Sequence, residues 1–350
     1  MEDSLVRRTR RRLSVIIVSG LLLLVGLFVV SLSVGSYEMS VMEVLEAFWN
    51  ALMVGGDTSQ MTLDEKVVWI VRFPRFLAAV GVGIGLAVAG VVMQAIIRNP
   101  LVDPYITGVS SGAALGAACA VLLGVAIGSA GTYSLPIMAF IGAILAFAIT
   151  LSLAESAGGR PVAFVLAGVI VGIFLSSITN LLMITNPSEG VQGVLYWLFG
   201  NLANATLEED AIILFVVGVL TVIVLVYARE LNVVLLGDDQ ANQLGVNVRF
   251  MKRGMLILTS LLTGVCVAFT GVIGFVGLIV PHMTRMVVGG DHRLLLPASI
   301  VVGANFLVAC DIIGRLIGGS EEFPVGIVTS LIGAPFFAYL LIRKGREYVS

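Results

Sequence analysis

One pair of ionisable residues stands out within the apolar part of the chain. Asp311 and Arg315 lie four positions apart in a long apolar run, and side chains at this spacing meet on one face of a helix. Ionisable residues in membrane segments are functional candidates, because burying a charge in hydrocarbon is costly. A transporter coupled to protons or sodium would use a buried carboxylate, and Asp311 is the one candidate for it. Its pairing with Arg315 is the simpler interpretation and lowers the expectation of ion-coupled transport.

Metal, haem and nucleotide chemistry find little support in the sequence. His282 and His292 have no histidine four residues away and no cluster of ligands beside them, so a zinc site is not expected. A haem held by both histidines would make the chain a membrane redox subunit, but we interpret them as polar residues at a helix end. Cys119, Cys266 and Cys310 lie in apolar runs at spacings that fit no metal or disulfide pattern, which favours a packing role. The motif G-x-x-x-x-G-K-[ST] does not occur, so any ATP that drives this protein must bind another subunit.

The composition is that of an integral membrane protein. The chain has 350 residues, of which 58% are hydrophobic and 12% are charged, and its mean hydropathy is +1.06. A soluble domain carries about 25% charged residues. No long polar linker divides the chain, so we expect one transmembrane domain over 1–350, surrounded by membrane lipid and without a nucleic-acid partner.

Nine apolar runs fit membrane spans, and the seventh is long enough to hold two. The first run follows a basic start and resembles a signal peptide, but it is long enough to span and ends in no clear cleavage site, so we interpret it as a retained helix. The seventh contains Gly271, Gly274 and Gly277, followed by Pro281, and these residues predict a break. Splitting it gives an all-α protein of ten transmembrane helices. The runs are 13–33, 76–97, 106–128, 134–154, 161–185, 211–228, 254–289, 294–318 and 323–342.

The charge distribution favours ten spans over nine. With ten spans both termini lie on one side, and the basic residues then collect in the cytoplasm, as the positive-inside rule expects. We therefore predict a multi-pass protein of the cytoplasmic (inner) cell membrane, with residues 1–12 as a basic cytoplasmic N-terminus. The predicted cytoplasmic basic residues are Arg7, Arg8, Arg10, Arg11, Arg12, Arg98, Arg160, Arg229, Arg249, Lys252, Arg253, Arg285, Arg293, Arg343, Lys344 and Arg346. The predicted external side keeps Lys66, Arg72, Arg75 and Arg315 among the acids Glu38, Glu43, Glu46, Asp57, Asp64, Glu65, Glu189, Glu208, Glu209, Asp210, Glu321 and Glu322.

The stretch 72–116 combines small residues with two turns. It begins as a Gly- and Ala-rich span, breaks at Asn99 and Pro100, turns again at Pro104 and returns to apolar sequence. Chain exposed to lipid does not tolerate such breaks, because each unsatisfied backbone group in hydrocarbon costs several kcal/mol. The hairpin therefore belongs inside a polytopic protein, packed against other helices or lining a passage, which indicates transport rather than anchoring.

Three segments outside the spans have an amphipathic pattern. Residues 39–54, within a predicted external segment 34–70, and residues 191–202 are expected to form helices on the external surface. The cytoplasmic segment 228–253 has apolar residues among polar ones, with Gly237 and Gly245 as breaks, and predicts two short helices. Exposed leucine and valine on a cytoplasmic loop fit a protein-docking surface better than a solvated loop.

These motifs together resemble one transport family. The pattern RFPR…RNPLxxPxxxGxxxGA over 72–113 is similar to that of the membrane permeases of ABC importers for iron-siderophores, haem and vitamin B12. The resemblance extends from about residue 37 to the C-terminus. Further matching segments are WLFGNL (197–202), LLGDDQANQLGV (235–246), GFVGLIVPHMTRMVVGGDHRLLLPAS (274–299), DIIGR (311–315) and FPVGIVTSLIGAPFFAYLL (323–341).

The resemblance implies roles for three groups of residues. The family's external arginines, which pair with glutamates of a binding protein, match Arg72, Arg75 and Arg315. The family's ATPase-coupling loop matches Leu236, Gly237, Asp238, Asp239, Gln240, Leu244, Gly245 and Val246. The family's cytoplasmic gate lies between spans four and five, which by position alone gives Glu155, Ser156, Ala157, Gly158, Gly159 and Arg160.

The resemblance also implies the assembly and the activity. The chain is expected to have the type II ABC importer permease fold and to work as a homodimer with two cytoplasmic ATPase subunits and an external substrate-binding protein. It would move a metal chelate through a passage on the twofold axis, bind no metal or cofactor itself, leave ATP and Mg²⁺ to the partner subunits, and be no enzyme. The alternatives are an ion-coupled secondary transporter, whose uptake a protonophore would abolish, and a membrane redox subunit, which would show a haem absorbance band.

Overall fold

The computed structural model describes residues 2–124, 133–186, 189–318 and 323–347, and these residues are almost entirely helical. The α-helices in these ranges are α1 Glu2–Ser33, α2 Val41–Met53, α3 Leu63–Lys66, α4 Phe73–Ile97, α5 Val109–Leu122, α6 Ser134–Ser156, α7 Pro161–Thr185, α8 Glu189–Leu198, α9 Leu207–Val226, α10 Ala228–Val234, α11 Asp238–Gln243, α12 Val248–Thr270, α13 Val276–Val288, α14 His292–Gly318 and α15 Val325–Glu347. A π-helical turn, Val67–Arg72, joins α3 to α4, and a 3-10 turn, Pro104–Thr107, precedes α5. Residues 125–128 of the third apolar run, Glu321 and Glu322 lie outside the described residues, as do the side chains of Arg7, Arg8, Arg10, Glu189, Arg343, Lys344 and Arg346.

The chain is a multi-pass membrane protein. Among the described residues, seven helical stretches are long and apolar enough to cross a membrane, and three shorter apolar helices accompany them. The seven are Arg11–Ser33, Leu63–Ile97, Ser134–Ser156, Pro161–Thr185, Leu207–Val226, Val248–Thr270 and His292–Gly318, and the shorter three are Val109–Leu122, Val276–Val288 and Val325–Leu340. The second stretch begins earlier than the predicted start at residue 76, because α3 and the π-helical turn continue directly into α4.

The long run 254–289 is interrupted inside the predicted glycine cluster. Helix α12 ends at Thr270 and α13 begins at Val276. Gly271 adopts a positive φ of 70°, and a Cβ at this position would lie 2.0 Å from the carbonyl oxygen of Trp197. Both the backbone angle and the close approach require glycine. Phe275 also has a positive φ, 69°, directly before α13.

The hairpin after α4 packs into this break. The hydroxyl of Tyr105 donates to the carbonyl oxygen of Ile273 (3.0 Å) and accepts from its N–H (3.2 Å), so one side chain satisfies both backbone groups of a residue between two helices. Pro104 is buried, and its Cδ would lie 2.7 Å from a Cβ at Gly277. The two irregular segments of the chain therefore stabilise each other inside the protein.

The turns of the hairpin are closed by their own side chains. At the first turn, the Asn99 side-chain oxygen accepts from the N–H of Leu101 (2.9 Å), two residues on, while Pro100 is half-buried. At the second, the Asp103 carboxylate accepts from the N–H of Tyr105 (2.8 Å). Such side-chain contacts to the backbone two residues on are what Asn and Asp provide in turns.

Helix α4 forms the centre of the bundle. It packs against α9, α12, α13 and α14, and 20 of its 25 residues are buried. The close packing depends on glycine: a Cβ at Gly83 would lie 2.4 Å from the carbonyl oxygen of Gly303 in α14, and one at Gly90 would lie 1.9 Å from that of Gly277 in α13. Small residues at helix contacts let backbones approach closely, which is how helices associate without a hydrophobic driving force.

The predicted amphipathic helix at 39–54 is α2. Ser40 caps it, since its hydroxyl accepts from the N–H of Glu43 while the Glu43 carboxylate accepts from the N–H of Ser40. The face with Val44, Ala47 and Ala51 is buried. The predicted surface helix at 191–202 corresponds to α8, Glu189–Leu198.

Two acids predicted to lie on the external surface are buried instead. Glu65 is 8% exposed because its carboxylate accepts from the N–H of Thr62 (2.8 Å) in a capping box. Asp210 is 0% exposed, since the first turn of α9 enters the bundle beside α4 and α12. Its position among three consecutive acids suggests a solvated helix start, and the sequence does not show which of them turns inward.

We expect Gly90→Ala to destabilise the protein strongly. The added methyl group would overlap the Gly277 backbone, and overpacking a core costs about 1–3 kcal/mol. Gly218→Ala is the matched control, because nothing lies within 4 Å of a Cβ there and alanine is the better helix former by about 1 kcal/mol. Thermal unfolding in nanodiscs should show a lower Tm for Gly90→Ala alone; equal Tm values for both variants would contradict the close α4–α13 contact.

Candidate functional site

The segment 228–253 folds into two short helices followed by the start of α12. Helices α10 and α11 are separated by Gly237, whose φ is 120°, and α11 is separated from α12 by Gly245, whose φ is 87°. The prediction of two short helices broken at these glycines is confirmed. Ala241 is buried on the inner side of α11, which fixes the face that α11 turns outward.

Asp238 anchors the first turn of α11 to two other elements. Its carboxylate accepts from Lys252 of α12 (2.6 and 2.8 Å) and forms an ion pair with Arg98 at the end of α4. Arg98 also donates to the carbonyl oxygen of Val234 (3.2 Å). Partial burial disfavours the charged form, but the hydrogen bonds and charges of Lys252 and Arg98 outweigh it, so the pKa of Asp238 lies below its ordinary value.

The outer side of this segment is an apolar surface, here called the leucine patch: Leu235, Leu236, Leu244 and Phe250. These side chains are 42%, 56%, 63% and 71% exposed. Asp239, Gln240 and Gly245 are exposed between them, while Val246 packs against the main core. Large apolar side chains exposed at the ends of two short helices and at the start of α12 are typical of a surface that a partner protein covers.

The loop between α6 and α7 lies at the same end of the bundle. Glu155 forms an ion pair with Arg253 of α12 (2.5 Å), and Ser156, Ala157 and Arg160 are exposed. Gly158 and Gly159 have positive φ values of 94° and 66°, and nothing lies within 4 Å of a Cβ at either. The glycines therefore serve the turn and not a close contact.

One cleft joins this loop to the segment 228–253. A surface cavity of about 590 Å³ is lined by Glu155, Gly158 and Gly159 on one side and by Asp238 and Asn242 on the other, with α12 between them. Within α12, Lys252 contacts Asp238 while the adjacent Arg253 contacts Glu155. Nothing in the sequence places the loop 155–160 beside the segment 228–253, because 67 residues separate them in the chain.

The three predicted docking arginines lie at the opposite end, and all are buried. Arg72, Arg75 and Arg315 are 4%, 2% and 4% exposed, which corrects the expectation that their side chains lie on the external surface. Arg75 forms an ion pair with Asp311 (2.8 Å), and Arg315 forms the predicted pair with the same carboxylate (3.1 Å).

The physical reason for this burial is the end of α1. Arg315 donates to the carbonyl oxygens of Ser31 (2.7 Å) and Val34 (2.8 Å), and Arg72 donates to that of Leu32 (2.6 Å) and also bonds to that of Tyr37. The last carbonyls of a helix have no partner within the helix, and cations stabilise its negative end. A surface cavity of about 740 Å³, lined by residues 33–36 and 38–40, reaches this cluster at Arg315.

A groove between α5 and α7 was not anticipated from the sequence. It has a volume of about 500 Å³ and is lined by Gly108, Gly168 and Gly172 together with Ser111, Ser176, Ser177 and Asn180. Ser176 donates to Ser111 (3.2 Å), and Asn180 is exposed one helical turn further along α7. The spacing of Ser176 and Asn180 in an otherwise apolar run was the available signal, since polar side chains exposed on a membrane helix require a partner or water.

Comparison with known proteins decides the family. The model of the FecCD transport family matches residues 22–343. A cobalamin import system permease of Halobacterium salinarum is 44% identical over 286 residues, covering 79% of this chain and 73% of that protein. An Fe(3+)-citrate import system permease of Bacillus subtilis is 38% identical over 350 residues, covering 99% of both. A solved structure described as an inward-facing conformation of a metal-chelate type ABC transporter has a TM-score of 0.81 at 32% identity, covering 94% of this chain and 99% of that one.

The chain belongs to the FecCD transport family. Its relatives are ABC transporter permeases, so this permease is a transport component and not an enzyme. The resemblance on which the sequence analysis relied is thereby confirmed.

Both histidines of the permease contact neighbouring side chains of the fold. His292 begins α14, where its N–H donates to the Asn232 side-chain oxygen (2.9 Å) and its ring Nδ1 lies 2.7 Å from the same atom. His282 packs edge-on against Phe337.

Asp291 directly precedes His292. Hydrogen bonds from Arg293 and Asn232 outweigh partial burial and lower the pKa of Asp291 to about 2. Among the described residues no group of three or more His, Cys, Asp or Glu side chains is placed to hold a metal ion.

We expect Asp311→Asn to destabilise the permease. The change leaves Arg75 and Arg315 without their shared carboxylate, and removing one partner of a buried pair costs about 3–5 kcal/mol. Glu46→Gln, at an exposed acid of α2, is the matched control. Thermal unfolding in nanodiscs should give a Tm well below that of wild type for Asp311→Asn only. An unchanged Tm would mean that the buried charge cluster does not stabilise the fold.

Proposed function

We propose that the chain is the permease subunit of a type II ABC importer that carries a metal chelate such as an iron-siderophore, haem or cobalamin. Two copies would form the passage, two cytoplasmic ATPase subunits would bind ATP and Mg²⁺, and an external binding protein would deliver the chelate. The named activities of the cobalamin and Fe(3+)-citrate permeases and the likeness to a metal-chelate type transporter support this substrate class. The choice among chelates rests largely with the binding protein, so a ligand-binding assay on that protein would settle the substrate.

The observation that carries the proposal is the cleft shared by the coupling segment and the loop 155–160. An ATPase that docks on the leucine patch would hold α11, and the Asp238–Lys252 ion pair connects α11 to α12. The adjacent Arg253 connects α12 to Glu155 in the loop. Movement of the ATPase subunits would therefore reach a gate at the loop through two successive residues of one helix.

The groove between α5 and α7 is the face that we assign to the passage. Its glycine and serine residues offer room and hydroxyl groups but no charged group. A second copy of the chain would close the groove across the twofold axis. A weakly binding wall suits delivery from a tight external binder, because strong sites along the path would retain the chelate.

The proposed topology has ten spans with both termini in the cytoplasm. The seven long helices and the three shorter apolar ones supply ten candidates, and the break between α12 and α13 supports the split of the longest run. The basic residues Arg98, Lys252 and Arg253 gather at the end of the bundle that holds the leucine patch. This distribution favours a cytoplasmic location for that end.

A docking role for Arg72, Arg75 and Arg315 stays a prediction. Because these side chains are bonded to carbonyl groups of α1 and to Asp311, a glutamate of the binding protein would have to compete for them. The cavity that reaches Arg315 is the route by which such a carboxylate would enter.

Ion-coupled transport is less well supported than ATP-driven import. The candidate carboxylate for coupling, Asp311, forms ion pairs with Arg75 and Arg315 and is therefore already engaged within the fold. Uptake by proteoliposomes that contain the permease, the ATPase and the binding protein should require ATP and persist with a protonophore. Uptake without the ATPase that a protonophore abolishes would favour the alternative.

We expect Leu236→Asp with Leu244→Asp to uncouple or dissociate the complex. Both side chains are exposed in the leucine patch, and an unpaired charge buried at an interface is costly. The ATPase should be lost on purification, or should hydrolyse ATP without uptake. Leu236→Met with Leu244→Met, which keeps the surface apolar, is the control and should transport normally. Full coupled transport by the aspartate variant would refute the docking role.

We expect a cysteine at position 156 to cross-link to its counterpart in the second copy. Ser156 is exposed on the loop assigned to the gate, and a gate on the twofold axis brings the two loops together. The experiment uses a background in which Cys119, Cys266 and Cys310 are replaced, and this background alone is the control. Cross-linking should change with the nucleotide state, because a gate changes width during the cycle. If no short reagent joins the copies in any state, the passage lies elsewhere.

A further inference from the structure

A partly open cavity lies at the end of the bundle where α4 and α9 begin. It has a volume of about 260 Å³ and is bounded by α4, α8, α9 and the end of α12. Its walls combine acidic, amide, hydroxyl and aromatic side chains with apolar ones: Ala78, Leu135, Gly193, Tyr196, Trp197, Asn201, Asn204, Ala205, Glu209, Asp210, Ile213, Phe269 and Thr270. The cavity is separate from the leucine patch, from the loop 155–160 and from the α5–α7 groove, since they share no lining residue.

Asp210 is the residue that makes this cavity unusual. Its side chain is fully buried, it lines the cavity, and neither carboxylate oxygen has a hydrogen-bond partner among the described residues. The indole Nε1 of Trp197, which lines the same cavity, is likewise buried without a described partner. Buried polar atoms in native proteins are almost always satisfied, and an exception calls for a water, an ion or another ligand.

The protein itself offers no cation to this carboxylate. None of the lining residues is Lys, Arg or His. Residues 125–132 and 187–188, which lie outside the described part, contain none of these residue types either. Asp311 shows the contrast, because its equally buried carboxylate is paired with Arg75 and Arg315. An unpaired buried carboxylate costs several kcal/mol, so Asp210 is neutralised either by a proton or by a cation that enters the cavity.

The other lining groups determine what kind of charge fits. Glu209 brings a second carboxylate to the cavity, and Asn201, Asn204 and Thr270 bring oxygen atoms that can act as ligands. Calcium and magnesium prefer carboxylate, amide and water oxygens, and they keep some water where the protein supplies too few. A volume of 260 Å³ holds roughly eight waters at about 30 Å³ each, which is room for an ion with part of its hydration shell.

We propose that this cavity binds a hard divalent cation, Ca²⁺ or Mg²⁺, with Asp210 as its central ligand. Glu209 and the side-chain oxygen of Asn204 complete the protein's share of the ligands, and waters supply the remainder. Trp197 donates its indole N–H to one of these waters. The ion links the start of α9 to the segment that follows α8, and so stabilises the predicted external end of the permease.

The test uses Trp197 as a local reporter. The sequence has three tryptophans, so replacing Trp49 and Trp69 by phenylalanine leaves the one that lines the cavity. This full-length permease, in nanodiscs and stripped of metal with a chelator, is titrated with CaCl₂, MgCl₂ and, at matched ionic strength, NaCl. We expect a saturable fluorescence change with Ca²⁺ or Mg²⁺, with a Kd on the order of 10⁻⁴ to 10⁻³ M, as for extracellular calcium sites.

Two variants make the test specific. Asp210→Asn keeps the shape of the side chain but removes its charge, and we expect the Kd to rise at least about tenfold. Glu208→Gln is the matched control, because Glu208 is exposed and accepts a hydrogen bond from Tyr133 outside the cavity; its Kd should stay within about twofold of the parent value. Binding of radioactive ⁴⁵Ca²⁺ to chains that retain all three tryptophans repeats the comparison if the tryptophan replacements lower stability.

Three results would overturn the proposal. The first is the absence of any saturable response to Ca²⁺ or Mg²⁺, and the second is an equal response in Asp210→Asn, which would place the ion elsewhere. The third is a response to NaCl alone or to pH alone. It would mean that a monovalent ion or a proton, and not a divalent cation, neutralises Asp210.

Discussion

The fold depends on satisfying backbone groups where helices stop within the bundle. In hydrocarbon a free carbonyl or N–H costs several kcal/mol, and this chain interrupts its helices repeatedly. Two of these interruptions are met by side chains from distant parts of the sequence. Arg72 and Arg315 donate to the carbonyls at the end of α1, and the Tyr105 hydroxyl serves both backbone groups of Ile273. These contacts fix the hairpin, the break between α12 and α13, and the position of α1 around the central α4.

Charge is used differently at the two ends of the bundle. At the end with the leucine patch, ion pairs lie at the surface and connect neighbouring elements, as Lys252 and Arg253 do for Asp238 and Glu155. Exposed pairs contribute little stability, about 0–1 kcal/mol each, so separating them costs little. At the other end the pairs of Asp311 with Arg75 and Arg315 are buried, and a buried pair resists separation because each charge left alone would be desolvated. The ion pairs at the two ends therefore differ in how much free energy their separation costs.

Two buried acids at the second end illustrate what a membrane protein must do with a charge. Asp311 forms ion pairs with two arginines of its own chain, Arg75 and Arg315. Asp210 has no such partner among the described residues and faces a cavity with oxygen-bearing side chains. The same burial therefore leads to a structural cluster in one case and to a candidate cation site in the other. The two aspartates differ because different side chains surround them in the fold.

The sequence by itself determined the class of protein, most of the long apolar helices to within a few residues, the break near Gly271, the short helices on either side of Gly237 and the Asp311–Arg315 pair. These features follow from local composition, from hydrophobic periodicity or from a four-residue spacing. Such signals depend only on residues that are close together in the sequence. The tertiary structure alone decided that Arg72 and Arg315 face the carbonyls of α1, that Asp210 and not Glu208 turns inward, and that Glu155 meets Arg253 beside the coupling segment. Each of these depends on which distant helix packs alongside, because burial and pairing are properties of neighbours in space. The three consecutive acids 208–210 read alike in sequence, and only the rotation of α9 against α4 and α12 distinguishes them.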